Sequence, residues 1–164
     1  MRRFKFLIKP IDNIFIDVMI FRDVFGRRHR RDGYPLWVTS LSVLFAVMSG
    51  EISVAYTSTL SLAGIAAEVK LIYNKEQANR VARNYINHFV KPFIKIVPIT
   101  QSVIDAALSD GRGEFEDALI FYSAKECNSS CIVTRNVSDF ELLADGTNIR
   151  ILRPEDIVRR PSGW

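Results

Sequence analysis

The sequence predicts an α/β domain built on a central, mainly parallel sheet of about five strands covered by helices on both faces. Short runs of β-branched and aromatic residues at 11–17, 52–56, 95–97, 131–134 and 149–152 read as strands. Between them lie longer stretches with apolar residues at helical spacing, the crossover lengths that parallel strands need. Two of the strands end in polar residues, Asp17 after the first and Thr134 to Asp139 after the fourth. Ligands of parallel α/β proteins bind beyond the carboxyl ends of the strands.

Residues 1–11 are basic and mostly extended, 12–158 form a single domain, and 159–164 are a polar tail. After Asp17, residues 18–25 stay apolar with Arg22 and Asp23 among them and predict a first helical turn or two. Residues 26–33 are a polar, basic connection ending in a turn before Pro35. The apolar run 34–48 is too long for a strand and, with Thr39, Ser40 and Ser42 inside it, short for a membrane span. It is expected to be a buried core helix, with no membrane association. Ser49-Gly50 stops it. Thr57, Ser58 and Thr59 cap the next helix, whose apolar face includes Leu60, Ile65 and Val69. A second amphipathic helix follows over 75–89, and Thr100 caps a third that ends at the break 110–113. The acidic start Glu114, Glu116 and Asp117 opens the helix before the fourth strand. A short helix or turn at 140–143, an edge strand and a last helix begun by Pro154 complete the chain.

At 164 residues, 48% apolar and 24% charged, the chain is long enough for one self-sufficient core. Cys127 and Cys131 have no second pair and no nearby histidine, which argues against zinc and for reduced thiols in a reducing, cytoplasmic setting. The net charge of +4 is uneven. Arg22, Arg27, Arg28, Arg30 and Arg31 crowd one stretch that reads either as a polyanion contact or as a solvated loop. Neither a Walker A loop nor a G-x-G-x-x-G pattern occurs, which weakens nucleotide readings.

Asp17, Asp117 and Asp139 stand at the ends of separate elements of one sheet. Each has a bland role in capping or turns. Together they suggest a divalent cation, because clustered carboxylates repel unless a cation compensates them. Oxygen-only donors favour Mg²⁺ or Mn²⁺. Glu114 shares a helical face with Asp117, whereas Glu116 points away. Thr134 and Asn136 can orient a water or a phosphate, and Arg27, Arg28, Arg30 and Arg31 can hold a nucleic-acid backbone.

The segments IFIDVMIFRDVFGRR, AYTSTLSLAGI, EFEDALIFYSA and CIVTRNVSDF resemble the four signature blocks of PIN-domain ribonucleases, in particular the bacterial toxins paired with antitoxins. The resemblance implies a three-layer α/β domain and a Mg²⁺- or Mn²⁺-dependent endoribonuclease with its acidic residues at the carboxyl edge of the sheet. It implies Asp17 and Asp117 as metal carboxylates, Asn136 with Asp139 as the last polar pair, and RNA and an antitoxin protein as partners. A homodimer is expected only as the commonest oligomer.

Two positions depart from the family pattern. Met19 stands where an Asn is usual and cannot hydrogen-bond as an amide would. Gly64 stands where the second block carries a Glu, with Glu68 one turn later. The alternative reading is therefore a PIN-like module, catalytically weakened or inactive, that binds RNA or protein.

Overall fold

The computed structural model describes residues 11–158; the basic segment expected at the N-terminus and the tail after 158 lie outside them. Five strands, β1 (Ile11–Ile16), β2 (Ile52–Ser58), β3 (Lys95–Val97), β4 (Cys131–Val133) and β5 (Arg150–Leu152), form one sheet in the order β3-β2-β1-β4-β5. Every pairing is parallel. The order runs outward from β1 in both directions, so the chain reverses its progress across the sheet between β1 and β4. Such a switch point opens a crevice at the carboxyl ends of the strands.

Side chains alternate across the sheet with period two and divide the interior into two cores. Ile14, Ile16, Cys131 and Val133 face one core, together with Ile20, Phe21, Val43, Ile65 and Val69. Phe15 and Ile132 face the other, with Val103, Ala107, Leu119, Phe140 and Leu143. The first core is covered by α1 (Val18–Gly26), α2 (Leu36–Met48), α3 (Thr59–Ile72) and α4 (Lys75–Tyr85). The second is covered by α5 (Gln101–Asp110), α6 (Phe115–Glu126) and α7 (Val137–Ala144). α8 (Pro154–Ile157) closes against α2. The molecule has the three layers expected of it.

Helix α2 is a core helix, as its length suggests: Val38, Val43, Ala46 and Val47 are buried, and Ser42 donates to the Val38 carbonyl at 2.9 Å. No helix among the described residues is long and apolar enough to cross a membrane. Of the three candidate caps before α3, Ser58 performs the role, its hydroxyl accepting from the Ser61 amide at 3.1 Å. The helix expected over 75–89 ends earlier: α4 stops at Tyr85 and the chain continues as a π-helical turn over Ile86–Val90. Tyr85 there packs edge-on against Phe25 and stacks on Phe89. Helix α7 starts at Val137, three residues before the expected position.

Candidate functional site

Asp17 leaves β1 at its carboxyl end and begins α1. Its amide donates to the Val133 carbonyl at 3.1 Å, which ties the end of β1 to the end of β4. The side chain is 1% exposed. Thr134, directly after β4, donates its hydroxyl to Asp17 Oδ2 at 2.6 Å and accepts from the Asn136 amide at 3.0 Å. Thr134 is fully buried, and its hydroxyl joins Asp17 to the Asn136 amide. Asp17 Oδ1 is buried without a hydrogen-bond partner. Burial pushes the carboxyl up to about 6, against the opposing pull of the Thr134 hydroxyl, the Val18 and Met19 amides and the charge of Arg22.

Asp117 approaches from the first turn of α6 and is half-buried. Asn136 donates through Nδ2 to its Oδ2 at 2.8 Å. Its carboxyl is also pushed up to about 6, first by burial and then by the negative charges of Asp17, Asp139 and Glu114. At the carboxyl edge Asp117 thus feels the charges of three other carboxylates, from Asp17, Asp139 and Glu114. Their contributions differ. Glu114 is exposed before the first turn of α6, and Glu116, expected to point away, joins it along the rim of the same cleft. Asp139 lies in the first turn of α7, outside the cleft lining, and reaches Asp117 through its charge.

The cleft measures about 610 Å³ and is lined by Asp17, Val18, Met19, Arg22, Arg28, Leu60, Gly64, Glu114, Glu116, Asp117, Ile120, Arg135 and Asn136. The basic loop divides around it. Arg28 turns into the cleft, whereas Arg27, Arg30 and Arg31 are exposed outside it. Arg30 pairs with Asp32 at 2.7 Å and lies over the Tyr34 ring.

The two departures from the family pattern have structural partners. A Cβ on Gly64 would lie 2.5 Å from Val18 Cγ2, so α1 and α3 cross where only glycine fits. Glu68 does not turn inward to replace a carboxylate at 64. It accepts from Arg22 Nε at 2.9 Å. Met19 presents its sulfur to the Nη1 atoms of both Arg22, at 3.7 Å, and Arg28, at 3.9 Å.

One further residue has no role that its sequence context marks. Arg135, just behind the Thr134–Asn136 turn, binds Asp23 through Nε at 2.6 Å and Glu155 through Nη1 at 2.5 Å. Its Nη2 donates to the Leu36 carbonyl and to the hydroxyls of Thr39 and Ser40. This ties α1, α2 and α8 to the loop that carries Asn136. The only signal of such a partner is Asp23, a carboxylate embedded in the apolar run of α1, since a buried charge demands a counterpart.

No family model matches the sequence, and no curated protein matches it. Solved structures do. FitAB bound to the IR36 DNA fragment is 18% identical at a TM-score of 0.59, over 86% of this chain and 94% of that one. A toxin–antitoxin complex from Klebsiella pneumoniae is 17% identical at 0.56, over 88% and 99%. VapC20 of Mycobacterium tuberculosis, a sarcin–ricin-loop-cleaving toxin, is 14% identical at 0.55, over 84% and 98%. The chain shares the fold of these structures, a PIN-like α/β domain. In this PIN-like fold the crevice between β1 and β4 carries the acidic cleft.

Among the described residues, no three histidine, cysteine, aspartate or glutamate side chains are grouped so as to hold a metal ion by themselves. Two carboxylates remain suited to one cation. Asp17 has a buried oxygen with no partner, and Asp117 is destabilised by its negative neighbours. A small hard cation that keeps several waters needs no more than one or two protein carboxylates. Asp17 and Asp117 thus offer oxygen donors that suit a divalent cation.

Proposed function

We propose that this PIN-like domain is a divalent-cation-dependent endoribonuclease, the toxin of a toxin–antitoxin pair. The observation that carries the reading is the pairing of Asp17 and Asp117 at the switch point, both with carboxyl groups held near 6 and one with an unsatisfied buried oxygen. Toxin–antitoxin assemblies and an RNA-cleaving toxin among the structural neighbours support the substrate class and an antitoxin partner.

In this reading Asp17 and Asp117 hold Mg²⁺ or Mn²⁺, with Glu114 at the rim and Asp139 behind Asp117. The bound ion supplies Lewis-acid polarisation of a phosphodiester and activation of water. Thr134 fixes the rotamer of Asp17, and Asn136 fixes that of Asp117 while keeping one carboxylate oxygen of each free. Below about pH 6 protons compete for the same oxygens, so cation affinity falls there. Cleavage of a structured RNA by the wild type, lost in both Asp17→Asn and Asp117→Asn with the fold intact, is the expected result. Cleavage that survives both substitutions refutes the assignment.

The absence of a carboxylate at position 64, enforced by the Val18 contact, favours a second reading: an RNA- or protein-binding module without hydrolysis. Calorimetry with Mn²⁺ separates the two. The nuclease reading expects saturable binding that disappears in Asp117→Asn; the module reading expects RNA or protein binding without a cation requirement.

A further inference from the structure

The α1 wall of the cleft faces the acidic edge with the opposite charge. Arg22 and Arg28 both line the cleft, and their side chains are 42% and 41% exposed. Their carboxylate neighbours lie behind them: Glu68 is 13% exposed, and Asp23 is fully buried. Glu68 holds Arg22 only at Nε, at 2.9 Å. Asp23 lies 3.7 Å from Arg28 and gives its other oxygen to Arg135 at 2.6 Å. The Nη1 atoms of both arginines converge on one atom, the thioether sulfur of Met19. A thioether is a weak acceptor, so donors of two guanidinium groups are gathered at a point that offers them almost nothing.

We propose that Arg22 and Arg28 form a phosphate-binding subsite that takes one backbone phosphate of RNA beside the Asp17–Asp117 pair. The proposal rests on the nuclease reading for its substrate class. Guanidinium groups match phosphate oxygens through paired N–H donors. The two non-bridging oxygens of a phosphodiester can address opposite walls of the cleft at once. One faces the arginines and the other faces the carboxylate edge and its cation. Glu68 is a positioning residue here, because it fixes the angle at which Arg22 enters the cleft. The subsite also accounts for the charge balance: where Gly64 offers no carboxylate, α1 and the loop after it bring two cations to the cleft.

The test uses a fluorescein-labelled RNA decamer without divalent cation, so that cation-dependent hydrolysis does not consume the probe. Affinity is followed by anisotropy across a KCl series. For a single strand, each phosphate that the protein no longer neutralises lowers the slope of log K against log salt by about 0.7. The expected result is a slope reduced by about 0.7 in the combined arginine variant Arg22→Gln/Arg28→Gln/Glu68→Gln, and by part of that in Arg22→Gln/Glu68→Gln, where no carboxylate is left unpaired, and in Arg28→Gln. Arg22→Lys should retain the slope, and saturable Mn²⁺ binding should persist in all of them. Wild-type slope and affinity in the combined arginine variant overturn the subsite. So does binding of a polyglutamate peptide, and not the decamer, at Arg22. Cleavage by the wild type together with an unchanged slope refutes the subsite alone. The slope change without any wild-type cleavage refutes the nuclease reading and leaves the subsite standing.

Discussion

At Asp17 and Asp117 the folded chain holds two carboxyl groups at about 6, where the ordinary aspartate value is 3.8. The native state therefore binds protons more tightly than the unfolded chain between those values. Stability of the cation-free protein should fall as pH rises through that window, and the full penalty should be present above about 6. For the buried Asp17 the shift corresponds to on the order of 3 kcal/mol. Asp117→Asn should raise the cation-free stability at pH 7 by about 1 kcal/mol, reduced from its nominal shift because solvent reaches the group. Urea unfolding of wild type and variant at pH 5 and pH 7 checks both the sign and the window, since the gain should shrink at pH 5. Mg²⁺ should offset the penalty in the wild type and leave the variant unaffected. The aspartates are legible in the sequence because each follows an apolar run at a strand end or opens a helix. Arg22–Glu68 and Arg135–Asp23 are not, because the partners stand 46 and 112 residues apart and nothing local marks them as neighbours.

Between elements, two contacts decide the shape of the cleft. The first is the crossing of α1 and α3 at Val18 and Gly64. Along the sequence alone, that glycine is a helix-weakening residue worth about 1 kcal/mol against alanine. In the fold, it is the point where a side chain has no room. Gly64→Ala should destabilise by about 1–3 kcal/mol in spite of its better helix propensity. Val18→Ala should relieve that cost when combined with it, a coupling that a double-mutant cycle in urea measures directly. The second contact is Arg135, whose guanidinium joins three helices to the turn holding Asn136. Removing it with Arg135→Met strands Asp23 in the core, at a cost of about 3–5 kcal/mol. Denaturant midpoints check this, and an effect confined to stability with normal Mn²⁺ binding would mean that the network carries the fold and not the site.

Across the whole molecule, the parallel sheet and its two flanking cores follow from strand and helix alternation. The strand order does not, because a succession of elements along the chain does not state which neighbours pair. Only the pairing of β1 with both β2 and β4 brings Asp17 and Thr134 together. The same central strand serves both cores, Ile16 in one and Phe15 in the other. Phe15→Ala and Ile16→Ala should each cost several kcal/mol, about 3–5 and 2–5. Both should lower one shared transition seen alike by fluorescence and circular dichroism; separate transitions would mean that the two layers melt independently. The outer strands have a different consequence. β3 and β5 end the sheet after three residues each. An edge that short offers few free backbone amides and carbonyls to a foreign strand. Copies of this chain that meet in concentrated solution should therefore join through side chains on their helices, and among the described residues fibre growth by strand addition has almost no template from which to start.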